Sequence, residues 1–203
     1  MKKRYALLLT GALAFGGLGF YNSIAQEETY TNIKIATASA SYQRYQSIDE
    51  LEEEAELVVI GRYTGDRELY FRDADHGGPG ITLSKSSVEI EKVLKGDVQK
   101  KKTITVFEEG YIKKDYYVNT EGYTWMNENG KYLLFLIPNR FNDTYVIVGM
   151  HQGKYDLNLT NRAAPQEDSK EAFLDSNVEY MGHAQGLDAF YQLKEQAKAK
   201  YKL

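Results

Sequence analysis

The residues of this chain best suited to chemistry are its grouped carboxylates. Asp73 and Asp75 stand in Asp73-Ala74-Asp75-His76-Gly77-Gly78, and Glu108 and Glu109 are adjacent. Alternate carboxylates in a glycine-bent loop converge on one point, so Asp73 and Asp75 suit the oxygen ligation of calcium. The EF-hand register fails, since its fifth position is Gly77 and its twelfth is Ser84 rather than glutamate. A solvated loop joining two strands is the competing reading. An enzyme assembled here would draw on distant acids such as Asp73, Asp75, Glu108 and Glu109, brought together only by folding. Local catalytic and cofactor motifs are missing. The three histidines, His76, His151 and His183, have no zinc-binding spacing. Ser84, Ser86 and Ser87 have no nucleophile elbow around them. Gly77-Gly78-Pro79-Gly80 has no Lys-Ser/Thr after it to hold phosphate, so no cofactor is expected.

A second chemical possibility is binding through aromatic rings. Tyr111, Tyr116, Tyr117, Tyr123 and Trp125 are close in sequence, and exposed rings on a sheet surface stack on sugars or hold an extended peptide. The alternative is that these rings alternate into the core or cover a sheet face.

The composition narrows the function classes. Of 203 residues, 42% are hydrophobic and 27% charged, the balance of a globular chain. Seventeen tyrosines against three prolines suit strands with one half-wet face. The formal net charge is −4, and it becomes more negative if Lys2, Lys3 and Arg4 are removed, so nucleic acid is not expected as a partner. There is no cysteine, which excludes disulfides, thiolate zinc sites and a lipidated N-terminal cysteine.

The elements that must position these residues follow from patterning. Residues 1–25 have a basic start, an apolar run and the small-x-small site Ser23-Ile24-Ala25, the layout of a secretory signal cleaved before Gln26. An uncleaved anchor is the competing reading, and both place the remainder outside the cytoplasm. Residues 26–46 read as a polar spacer whose tyrosines can dock on the folded part. Ser47-Ile48-Asp49-Glu50 matches a capping box opening a short acidic helix over 48–56.

Strands are expected over 57–63, with 69–71 extending or returning it, then 82–94, 103–107, 116–118, 131–137, 144–150 and 153–159. The organising element is 131–137, an apolar run between the turn dipeptide Asn129-Gly130 and the strand-stopping Pro138, read as buried on both faces. Strands in meandering order without intervening helices favour a small closed barrel. After a polar linker, residues 187–200 read as a helix with Leu187, Phe190, Leu193 and Ala197 on one stripe and Lys194, Glu195, Lys198 and Lys200 around it. That helix either packs on the barrel or serves as an amphipathic contact for a partner or membrane surface.

Three stretches carry a resemblance. Ala55-Glu56-Leu57-Val58-Val59-Ile60-Gly61, Val93-Leu94-Lys95-Gly96 and Gly130-Lys131-Tyr132-Leu133-Leu134-Phe135 resemble the netrin-like module, the OB-type barrel of tissue inhibitors of metalloproteinases, in its cysteine-free secreted bacterial form. The resemblance covers about residues 51–157 and implies a fold more than an activity. In the inhibitors an N-terminal cysteine meets the protease zinc, and no residue of this chain matches it.

The expectation is therefore a mainly β chain: a small closed OB-like barrel of five to six strands over 47–160, a short N-terminal helix, and a linker with a C-terminal helix over 161–203. The function expected is a secreted or cell-envelope, non-enzymatic binding module whose partner is an unidentified protein or glycan, touching membrane only through an uncleaved N-terminal segment. The alternatives are a hydrolase-type or metal-dependent enzyme built from non-local carboxylates and a protease inhibitor working without cysteine.

Overall fold

The computed structural model of the chain describes residues 33–74, 77, 80–160 and 178–203. Residues 1–25, read as a secretory signal, residues 26–32, Asp75, His76 and residues 161–177 of the linker lie outside the described residues. The described elements are β1 (Lys34–Ala38), α1 (Ile48–Glu54), β2 (Leu57–Arg72), β3 (Ile81–Lys95), β4 (Thr103–Glu108), β5 (Gly110–Lys113), β6 (Tyr116–Thr120), β7 (Tyr132–Pro138), β8 (Tyr145–Ile147), β9 (Lys154–Asp156) and α2 (Ala184–Tyr201). A 3-10 turn, Met150–Gly153, joins β8 to β9. The described residues are mainly β with two helices.

β7 divides the protein because successive side chains of a strand point to opposite faces. Tyr132, Leu134 and Leu136 enter one apolar cluster, and Leu133 and Phe135 enter another. β2 divides in the same way, with Leu57, Val59 and Tyr63 in the first cluster and Val58 and Ile60 in the second. The first cluster also takes Val88 and Ile90 from β3, Ile104 and Val106 from β4, and Ile147 from β8.

Those five strands form a ring. β2 pairs with β3, β3 with β4, β4 with β8 and β8 with β7, and β7 returns to β2. Every pairing is antiparallel except β4 with β8. The first cluster fills the ring, being drawn from every strand of it. The second cluster lies between the outside of the ring and the helices, where Leu51 of α1 and Phe190, Leu193 and Ala197 of α2 are buried. β9 continues along the edge of β7 that β8 leaves, pairing Tyr132 to Leu134.

The remaining strands form a second sheet in the order β1-β6-β5, with β1 parallel to β6. Part of the stretch read as spacer therefore belongs to the folded body. Ile33 and Ile35 carry a short apolar alternation that packs with Tyr117, and Tyr45 is buried in the outer cluster. β5 was not expected from the sequence, and it makes a hairpin with β6.

α1 begins with half of the expected capping box, the Glu50 carboxylate reaching one residue beyond the cap. The Ser47 hydroxyl accepts from the Glu50 N–H, and the Glu50 carboxylate accepts from the Gln46 N–H. The turn before β7 differs from the expectation, since neither Asn129 nor Gly130 adopts a positive φ. Glycine is needed at 130 because an added Cβ would lie 2.2 Å from the Tyr132 ring. α2 also differs: Lys194, expected in water, is buried beside Phe190 and Leu193. Among the described residues, no helix is long and apolar enough to cross a membrane.

Candidate functional site

One end of the ring interior is polar. Ile104, Val106 and Glu108 alternate along β4 toward the same side, so the row that starts as apolar core ends in a carboxylate that is fully buried. Ser86 of β3 lies opposite Val106, and Arg67 of β2 lies opposite Ser86. Strand register thus brings the three side chains to one point. Arg67 Nη2 donates to Glu108 Oε1 at 2.8 Å, and Ser86 Oγ donates to the same oxygen. Tyr123 Oη and the Met126 N–H each donate to Oε2 at 2.8 Å.

The Arg67 guanidinium is clamped as well as paired. Its centre lies 4.4 Å from the Tyr63 ring and 4.3 Å from the Trp125 ring, and Nη2 donates to the Met126 carbonyl at 2.6 Å. Burial works against the charge of Glu108, but the charges of Arg67 and Lys154 and the bonds from Ser86 and Met126 hold its carboxyl below the ordinary glutamate range.

The buried charges continue outward from this pair. The Lys154 ammonium lies 4.8 Å from the Tyr123 ring and 5.5 Å from the Tyr132 ring, and burial lowers its pKa against the attraction of Glu108, Glu179 and Asp156. Glu179 takes the Asp156 N–H at 2.7 Å on one oxygen and the buried Lys194 ammonium on the other. Lys194 also donates to the carbonyls of Asp156 and Leu159 at 2.7 Å. Burial raises the Glu179 carboxyl in spite of Lys194. Acid and base alternate from the ring interior to α2: Arg67, Glu108, Lys154, Glu179, Lys194.

The expected aromatic set divides between the two faces of the second sheet. Tyr117 and Tyr123 are fully buried, and the Tyr117 hydroxyl donates to the Tyr123 carbonyl at 3.0 Å. Trp125 is half-buried, packs edge-on to Tyr117 at 4.9 Å and donates to the Gly110 carbonyl at 2.9 Å. Tyr111 and Tyr116 are on the opposite face, because Tyr111 pairs with Val118, and Tyr116 with Lys113, while Tyr117 pairs with Ile112. Tyr116 is 39% exposed, with the Lys34 ammonium 5.4 Å from its ring centre.

Among the described residues, the acids Asp73, Glu108 and Glu109 do not gather. Asp73 is exposed beyond the end of β2, and Asp75 lies outside the described residues. Ser84 faces both Leu69 and Glu108, so Asp73 is four residues, or about 13 Å, along the strand from the level of Glu108. Glu109 is half-buried and burial raises its carboxyl. Among the described residues, no group of three His, Cys, Asp or Glu side chains is placed to hold a metal ion.

The structure brings together residues that the sequence reading did not connect. Arg67, Lys154, Glu179 and Lys194 form the buried network, and the charge alternation of Lys154 and Asp156 within an extended run was the one local sign of it. His151 is a further case. It is buried 4.5 Å from the Tyr180 ring and 5.6 Å from Tyr42, and among the described residues its Nδ1 has no partner. Nor, among the described residues, has the hydroxyl of Tyr155, whose ring lies 5.4 Å from Phe190. Burial, reinforced by the Lys154 and Arg44 charges, pushes His151 down to about 4.

No protein-family model matches the chain, and no curated protein matches it.

Proposed function

We propose that the chain is an extracytoplasmic, non-enzymatic binding module on an OB-like ring of the netrin-like type. Five strands in a ring, with one parallel closure between β4 and β8, support the OB-like reading. The signal-like residues 1–25 support export.

The observation that carries the binding reading is the outer face of the second sheet. Tyr111 and Tyr116 are diagonal neighbours on β5 and β6, about 7–8 Å apart by sheet geometry, with Lys34 and Lys113 beside them. Two rings at that spacing among cations suit an extended peptide or a glycan. The buried acid argues in the same direction: a carboxylate offers about four acceptor sites, and Arg67, Ser86, Tyr123 and Met126 occupy those of Glu108. Glu108 serves as scaffold in this reading.

The test is titration calorimetry against cell-wall glycan fragments and extended peptides. Tyr111→Ala with Tyr116→Ala should abolish binding and leave the thermal midpoint unchanged. A chain that binds nothing in either panel, or a double variant that binds like the parent, overturns the proposal.

A further inference from the structure

β2 outlasts its neighbour. β7 pairs with β2 only from Leu57 to Gly61, whereas β3 stays paired as far as Arg72, opposite Ile81. Among the described residues, no strand pairs with the other edge of β2 from Arg62 to Arg72. The loop after Trp125 covers the start of this stretch, where Arg67 bonds the Met126 carbonyl. Among the described residues, nothing pairs with the edge from Glu68 to Arg72. On it, Leu69 is 61% and Phe71 58% exposed. An open edge with exposed apolar side chains is a template for a strand from another chain.

The sequence of the edge identifies that chain. With two copies antiparallel and Tyr70 opposite Tyr70, Leu69 of each copy faces Phe71 of the other, and Glu68 of each faces Arg72 of the other. Residues opposite each other share a face, so the apolar pairs form one patch on one side of the joined sheet. The ion pairs flank the tyrosines on the other side. A slip of one residue sets Tyr70 against Leu69 or Phe71, residues on opposite faces of β2, so the pleat excludes it. A slip of two residues loses both the Glu68 to Arg72 and the Leu69 to Phe71 pairs. We propose that the open edge of β2 pairs with the same edge of a second copy across a two-fold axis, joining two rings by one continuous sheet.

Sedimentation equilibrium on the full chain purified after export tests this. The parent should be a dimer, and Leu69→Asp a monomer with an unchanged circular dichroism spectrum. Glu68→Arg alone, and Arg72→Glu alone, should each raise the dimer dissociation constant about tenfold, since each breaks two symmetry-related pairs. Glu68 also pairs with Lys85 of its own chain at 3.0 Å, so the triple variant Glu68→Arg, Arg72→Glu and Lys85→Glu, which keeps that pair with its charges exchanged, should restore the parent value. A parent that stays monomeric throughout the micromolar range overturns the proposal. So does a dimer indifferent to Leu69→Asp, or a triple variant as weak as the singles. A monomer whose Glu68 to Arg72 amides resist hydrogen exchange also overturns it, because another segment of the same chain then occupies the edge.

Discussion

Arg67 and Glu108, separated by 41 residues in sequence, meet at 2.8 Å with the carboxylate fully buried and the guanidinium between Tyr63 and Trp125. The pair joins the long hairpin to the ring, since Arg67 belongs to β2 beyond its contact with β7. Removing one member of such a pair leaves a buried charge uncompensated, and that penalty exceeds the net worth of the pair itself.

Glu108→Gln should therefore destabilise the protein by about 3–5 kcal/mol, because it strands both Arg67 and Lys154. Lys154→Met should fall within about 1 kcal/mol of the parent, since burial already opposes that charge and Arg67 still neutralises Glu108. Urea unfolding midpoints distinguish the two. Equal losses in both variants would show that Lys154 and Arg67 share Glu108 equally.

Acid should weaken the fold through His151. Its pKa falls from 6.5 to about 4 on folding, so between these values the unfolded chain binds more protons than the folded one. The contribution is complete above pH 6.5 and is lost as pH falls to 4, about 3 kcal/mol in all. Glu179, whose carboxyl is raised, contributes a slope of opposite sign just above the ordinary glutamate value. His151→Phe isolates the histidine: its unfolding free energy between pH 7 and 4 should fall less than the parent's by that amount. Parallel curves for parent and variant would refute the assignment.

Tyr155→Phe should stabilise the protein. Its buried hydroxyl has no partner among the described residues, and a desolvated, unpaired polar group costs about 1–3 kcal/mol. Deleting the oxygen should recover about 1 kcal/mol, or about 3 °C in Tm for a body of this size. A lower Tm would mean that the hydroxyl holds an ordered water.

How far the sequence discloses this protein depends on the range of the interaction. β7 is legible because its apolar run is bracketed by turn and strand-stopping residues, and β2 is legible at its start because the unbroken apolar run Leu57 to Ile60 must bury both faces of a strand. The length of β2 is not, because register shifts between Tyr63 and Arg67 break the alternation. β1 is hidden for another reason: its apolar pattern is only Ile33 and Ile35, amid Thr, Ser and Ala. Periodicity shows that Tyr116 and Tyr117 point to opposite sides of β6, but which side is wet depends on Ile33 and Trp125 arriving from elsewhere. Lys194 is the clearest failure. It shares a helix face with Phe190 and Ala197, yet a lysine is read as solvated unless Glu179 is known to meet it.

The strand β1 also sets the length of a leash. Pairing with β6 begins at Lys34, and Ile33 just before it is already buried. Eight peptide steps from Ala25 to Ile33 reach at most about 29 Å. Should the first 25 residues stay in a bilayer, the folded body would stand no further than that from the lipid surface, well short of what the whole stretch to Gln46 would permit. Targets deeper in a cell wall would then be open only to the cleaved form, so cutting after Ala25 would decide what this protein can touch.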